Sequence, residues 1–267
     1  MDKEQLKQLA ARPEFIPGIH NYCDRWCARC PFTSRCLNYA MQREHMAGAA
    51  DASLDGPDLW SQMKETFDAT LALLQDLADR AGIDLTDVLS SSDEPSPADV
   101  EAHAHPLAHA SRVYAARVEA WFAQAGTLFD EKNRSLARQA GLDLEGPEHE
   151  AAVLQDALEV VQWYRQQIHV KLIRAVRSRL NAPPGRLPGD LPGALPDDAD
   201  GSAKVALLGM DRSVDAWHVL YDHFPEQEDA ILPLLVYLQR MRRATEAAFP
   251  GARAFVRPGF DDAAGAS

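Results

Sequence analysis

Cys23, Cys27, Cys30 and Cys36 fall within fourteen residues, and the 231 residues after Cys36 contain no further cysteine. Their pattern is C-x3-C-x2-C-x5-C. Four thiolates this close in sequence can converge on one metal centre and satisfy it completely. The competing chemistry is two disulfides. These would staple only tiny loops in a chain long enough to build its own core. The segment Met1-Asp-Lys-Glu-Gln-Leu-Lys-Gln-Leu-Ala10 is polar and charged, with no apolar h-region and no cleavage site, so no secretory signal is read there. No stretch has the apolar length of a membrane span. The expected home is a reducing cytoplasm, where thiols remain available as ligands, and cysteine clusters outside a secretory context usually bind metal.

The spacing also bears on which metal. Structural zinc sites commonly use two C-x2-C knuckles set well apart. This chain has one such knuckle, Cys27 and Cys30, with the outer cysteines three and five residues away. A cluster has four separate corners and tolerates uneven spacing along one wrapped loop. A [4Fe-4S] centre is therefore favoured, with Zn²⁺ as the alternative. Cys27-Ala-Arg-Cys30-Pro31-Phe-Thr-Ser-Arg-Cys36 resembles the cluster loop of helix-hairpin-helix DNA glycosylases of the endonuclease III type. Their loop reads C-x6-C-x2-C-x5-C, often with proline after the third cysteine. The resemblance spans about ten of 267 residues and departs in its first spacing, x3 for x6. It implies a [4Fe-4S] centre and nothing about DNA. Cys23, Cys27 and Cys30 also match the radical-SAM spacing. That family leaves one iron open where Cys36 offers a fourth ligand, and it needs β/α alternation. His20 could replace a cysteine, although a turn histidine beside Pro17-Gly18 is more often solvated. The whole chain is similar to an uncharacterised bacterial protein family sharing segments such as Ile19-His-Asn-Tyr-Cys-Asp-Arg-Trp-Cys27 and Asp200-Gly-Ser-Ala-Lys204. That similarity implies a bacterial-type protein and no particular activity.

Charge narrows the partners. The net charge is −13, which argues against nonspecific binding to nucleic acid or to an anionic membrane. A protein or small-molecule partner is left open. Residues 1–46 hold seven Lys/Arg and five Asp/Glu, a local +2, so the remainder carries −15. Arg25, Arg29 and Arg35 lie beside the thiols. A four-thiolate centre carries net negative charge, which guanidinium groups would offset.

These residues must be positioned by a helical scaffold. Apolar residues recur three or four apart over 57–81, 106–140, 147–181, 201–223 and 226–248, and no β alternation of useful length occurs. With 46% apolar residues, this pattern predicts an all-α helical bundle of about five helices in 47–267, with a four-cysteine metal-binding segment at 1–46. Pro233 is expected to disturb the start of its helix. The connectors 82–105 and 182–200 are read as loops. The second is rich in proline and glycine and is expected to be non-helical, either a spacer or functional.

Further polar residues border the predicted apolar faces. Asp211, Asp215, His218 and Asp222 form one stripe at offsets of four, three and four. Asp215-x-x-His218 resembles half the ligand set of ferritin-like di-metal bundles, but 147–181 offers only Glu159 and His169, ten residues apart. Arg165 projects among Leu158, Val161, Ile168 and Leu172. A charge there needs a carboxylate, and Asp211, then Asp215, are the expected partners. Lys171 and Arg174 are placed farther round that helix. A pocket around Arg165, Asp211 and His218 would make the protein an enzyme, one alternative to a metal protein. Asp200-Gly201-Ser202 is expected to cap a helix. His103, His105 and His109 are read as surface residues. No G-x-S-x-G, P-loop, Rossmann glycine pattern or H-E-x-x-H occurs. The leading reading is a [4Fe-4S] protein whose centre serves structure or electron transfer, and the alternative is a zinc-binding adaptor acting by protein–protein contact.

Overall fold

A computed structural model describes residues 3–48, 95–142, 146–182 and 198–261, with Lys64, Asp68, Leu71, Ala72, Leu74, Gln75, Asp76, Ala78 and Asp79. Among the described residues the regular structure is helical and no strand occurs, as the periodicity predicts. The chain divides into two compact units. One contains Met1–Glu94 and Arg257–Ser267, the other Pro95–Val256. The border expected from the sequence, at 46/47, places Arg257–Ser267 with the bundle, whereas they group with the cysteine segment.

In the first unit, α1 (Lys3–Ala10) is followed by three 3-10 turns, Ile19–Tyr22, Cys27–Arg29 and Thr33–Arg35, and then by α2 (Leu37–Gly48). Every described residue between 64 and 79 is helical, and Ala78 is buried. Trp60, Met63 and Phe67, which carried the pattern of 57–81, lie outside the described residues.

The second unit contains α3 (Pro97–Ala104), α4 (Pro106–Gln124), α5 (Gly126–Ala140), α6 (Pro147–Leu180), α7 (Asp198–His223) and α8 (Glu228–Ala248). That is six described helices where the periodicity predicts four, the fifth expected helix, 57–81, falling in the other unit. Two differences account for it. The expected single helix 106–140 is interrupted at Ala125, where α4 ends and α5 begins. The expected connector 82–105 contains α3. Ser96 and Asp99 form a reciprocal capping box at its start, with Pro97 in the first turn, a pairing that satisfies two of the orphan amides of a helix N-terminus. The other connector ends sooner than expected. Asp198, Ala199 and Asp200 already belong to α7, so Asp200 and Ser202 stand inside its first turns and not ahead of them. Residues 183–197 lie outside the described residues. Helix α8 runs through Pro233.

The core of this unit follows a spacing near 3.5 along α6, where Leu154, Ala157, Val161, Tyr164, Ile168, Lys171 and Ala175 are buried. Opposite them α7 presents small residues, Ala199, Ser202, Ala203, Ala206, Gly209, Ser213 and Ala216. Small side chains let two helix backbones approach, and the α6 side chains fill the gap. At Gly209 the approach is tight: a Cβ there would stand 2.8 Å from Cδ1 of Tyr164 and 3.2 Å from Cγ1 of Ile168. Aromatic rings pack around Trp217. Its indole N–H donates to the Tyr114 hydroxyl at 3.0 Å, and its ring meets Trp121 edge-on at 4.9 Å. Both Trp217 and Tyr114 are fully buried. Burial pushes the Tyr114 phenol up to about 12.

Polar ties join α6 to α7. Arg174 and Ser178 both donate to Asp198, Ser178 at 3.0 Å. The structure corrects the expectation for Arg165. It is half-buried, and its paired carboxylate is Glu119 of α4, at 4.0 Å. Asp211 is engaged by Arg242 at 3.2 Å and by Arg253 at 2.5 Å. The reason is helical phase. The buried line passes through Tyr164 and Lys171, which puts Arg165 one residue to its side. Lys171, at 4% exposure, is the buried cation of this helix.

Candidate metal centre

The cysteines are carried by a succession of short turns within the first unit. Gly18, with φ of 74°, opens the turn Ile19–Tyr22, and Cys23 follows it in extended conformation. A positive φ is a conformation that glycine adopts without the steric cost of a Cβ. The Cys23 thiol donates to the carbonyl of His20 at 3.4 Å. Asp24 then accepts the amide of Trp26 at 3.2 Å, a local side-chain turn of the kind aspartate favours. Between them Arg25 adopts φ of 59° without being glycine. Such backbone strain persists where the surroundings over-determine it.

The chain next enters the turn Cys27–Arg29, closed by the Cys30 amide donating to the Cys27 carbonyl at 3.2 Å. In a 3-10 turn, residues three apart eclipse one another, so the C-x2-C pair presents both thiols to one side. The third turn, Thr33–Arg35, closes in the same way, with the Cys36 amide donating to Thr33. Cys36 then leads into α2.

All four cysteines line one cavity, together with Ile19, Trp26 and Phe260. None forms a disulfide, and each is half-buried. His20 also lines this cavity, so the structure brings together all five candidate ligands of the segment. Among the described residues no three His, Cys, Asp or Glu side chains close into the shell of a single metal ion.

Electrostatics ties the thiols to one another. Burial, then the charges of Cys23 and Cys36, hold the Cys27 thiol above its usual range, and Arg25 opposes this. Burial also raises Cys30, with Cys23 and Cys27 contributing. Four thiolates around one cavity repel each other unless a cation lies among them. A bound metal inverts that balance and deprotonates its ligands. Arg25 lines the cavity, and the guanidinium of Arg29 lies 4.0 Å over the Trp26 ring. The donor set is chemically suited to a thiolate-bound metal or cluster.

The surroundings supply more packing than the sequence suggests. Leu9, Ile16, Ile19 and Tyr22 are buried, and the Ile16 amide donates to the Arg35 carbonyl at 3.0 Å, closing the loop that bears the cysteines. The contribution that sequence reasoning missed comes from the other chain terminus. Phe260 meets Phe32 edge-on at 5.1 Å and forms part of the cavity wall. The signal available in the sequence was Arg257-Pro-Gly-Phe-Asp261, one aromatic among turn residues after the last helix. Nothing in its periodicity says what it packs against.

The remaining candidates are not assembled. Arg165 pairs with Glu119, Asp211 with Arg242 and Arg253, and His218 is exposed. Asp215 and Asp222 are exposed too, so the stripe on α7 is mostly solvated. Glu159 accepts from Gln155 at 2.9 Å, and His169 Nδ1 lies 2.8 Å from the Ser111 hydroxyl. His103 and His109 are exposed, whereas His105 caps α4 by accepting the Leu107 amide.

No helix among the described residues is long and apolar enough to cross a membrane. Compared with protein-family models, with curated proteins and with solved structures, the chain finds no match.

Proposed function

We propose that this is a metal-binding protein whose four cysteines hold a [4Fe-4S] cluster serving structure or electron transfer. The observation that carries the reading is that all four cysteines of the chain line a single cavity, although three separate turns present them. A chance cluster in sequence would not need to share one wall. The uneven spacing supports a cluster, because its corners accept one thiolate each. A tetrahedral Zn²⁺ with Zn–S near 2.3 Å is the alternative occupant, and it too would take all four thiols.

Cys23, Cys27, Cys30 and Cys36 would be the ligands. Bound there, a [4Fe-4S] cluster supplies one-electron redox chemistry and a rigid cross-link. The chain's own residues do the rest. Cys27 and Cys30 present two thiols from one turn, and the outer two come from the turns before and after it. Arg25 places positive charge beside the thiolates. Ile19, Trp26 and Phe260 lower the local polarity, a lever that sets redox potential.

Replacing each cysteine singly by serine, with metal retained per chain as the readout, tests the ligand set. All four variants are expected to lose metal and to loosen the segment from Gly18 to Cys36. One variant that keeps full metal content would remove that position from the set and end the closed, four-cysteine account.

A further inference from the structure

Residues Arg257–Asp261 are separated from the cysteine segment by more than two hundred residues of sequence, yet they pack on it within the same compact unit. The fit is close. Gly259 has φ of 77° and is buried, and a Cβ there would stand 2.9 Å from the Cδ1 atoms of both Ile16 and Ile19. The backbone is therefore pressed against the two isoleucines that flank the first turn. Arg257 and Asp261 close the segment on itself through a paired ion contact of 3.0 and 2.9 Å, and the amide of Arg257 donates to the same carboxylate at 3.0 Å. The Arg257 side chain is only 13% exposed. Its guanidinium lies 4.8 Å from the Phe260 ring. Arg257 thus braces the ring from one side while Phe32 meets it edge-on, and the ring faces the cavity that the four cysteines line.

We infer that the C-terminal turn Arg257–Asp261 is a clasp over the cysteine centre, with Phe260 as the residue that keeps solvent and oxidants from the sulfurs. The inference rests on the proposed site for its purpose, but its geometry does not depend on which metal is bound. Each part of the turn serves the placement of one ring. Glycine lets the backbone lie flat on Ile16 and Ile19, the ion pair fixes the turn, and the cation over the ring holds its orientation. Phe260 is a positioning and shielding residue and contributes no ligand.

The test follows thiol alkylation in the full-length protein as purified, so the clasp is probed on the folded segment whichever metal is bound. Wild type is compared with Phe260→Ala, which removes the plug, and with Gly259→Val, which keeps the ring but unseats the turn. Val256→Ser, at an exposed neighbouring position, is the control. Both clasp variants should alkylate about tenfold faster or more, the factor equivalent to ~1.4 kcal/mol, near the low end of what burying a phenylalanine is worth. Val256→Ser should match wild type, and the far-ultraviolet helical signal should be unchanged in all four proteins. Unchanged alkylation in both clasp variants overturns the inference. So does equal acceleration by Val256→Ser, which would indicate general loosening of the tail. Metal content of the wild type is measured beside these rates. Lack of metal with accelerated variants would sink the proposed function and leave the clasp standing, and metal with unaccelerated variants would do the reverse.

Discussion

Gly209→Val probes how closely α6 and α7 are packed. A first methyl at this position would stand 2.8 Å from the Tyr164 ring and 3.2 Å from Ile168. Both neighbours are buried, at 1% and 0% exposure, and the Tyr164 hydroxyl accepts from Arg212, so the ring is held at both ends. Two effects oppose each other. Removing a glycine from a helix interior gains up to about 0.5 kcal/mol when valine replaces it, because valine is itself a mediocre helix former. Forcing extra carbons into a filled interface costs about 1–3 kcal/mol, and a contact under 3 Å with a fixed ring places this site at the upper end. The net expectation is a loss of about 2–3 kcal/mol, read by urea unfolding followed by circular dichroism. Gly209→Ala balances the same terms more evenly, with a propensity gain near 1 kcal/mol, and should lie within about 1 kcal/mol of wild type. The discriminating measurement is the cycle with Tyr164→Leu, which takes the ring out of the way. The double variant should be more stable than the sum of the singles by more than about 1 kcal/mol, beyond the few tenths expected for independent sites. Additivity, or a Gly209→Val protein as stable as wild type, would refute the close approach.

Other expectations are simpler. Tyr114→Phe strands the buried indole N–H of Trp217 and should cost about 1–3 kcal/mol; an unchanged melting temperature would mean that another acceptor takes its place. The same tyrosine should not ionise in the folded protein until near pH 12, which an ultraviolet titration reads directly. His169 gives a pH dependence of definite sign. Burial, then the charges of Arg112 and His103, lower its pKa below the ordinary 6.5. As pH falls below 6.5, the unfolded chain takes up the proton first, so stability declines until the folded pKa is passed. His169→Gln should flatten that decline, and a slope identical to wild type would assign it to other groups.

Much of the fold was legible because amphipathic periodicity is a direct readout of burial. Residues 147–181 match α6 almost to the residue, and Trp217, Met210 and Leu207 are buried where their spacing puts them. Phase was less secure than period. Arg165 and Tyr164 differ by one residue, and on a helix of 34 residues the buried line advances at 3.5 instead of 3.6, so a wheel drawn at the ideal period drifts across that gap. The break at Ala125 was masked because the apolar pattern continues through it, which hides the stop signal that Gly126 offers just past the helix end. Helix α3 was hidden inside a Ser/Pro-rich stretch whose Ser96 and Asp99 are in fact its capping box. For the site, the cysteines announced themselves by chemistry. Phe260 did not, because a contact between the two ends of the chain leaves no local pattern.

The reading of the centre as an iron–sulfur cluster is tested most directly by metal and sulfide analysis of protein made with ample iron and purified without oxygen. The account predicts about four irons and about four acid-labile sulfides per chain, with the broad visible absorbance of thiolate-bound iron. Stoichiometric zinc without sulfide in that preparation would contradict it and make the four cysteines a structural zinc site.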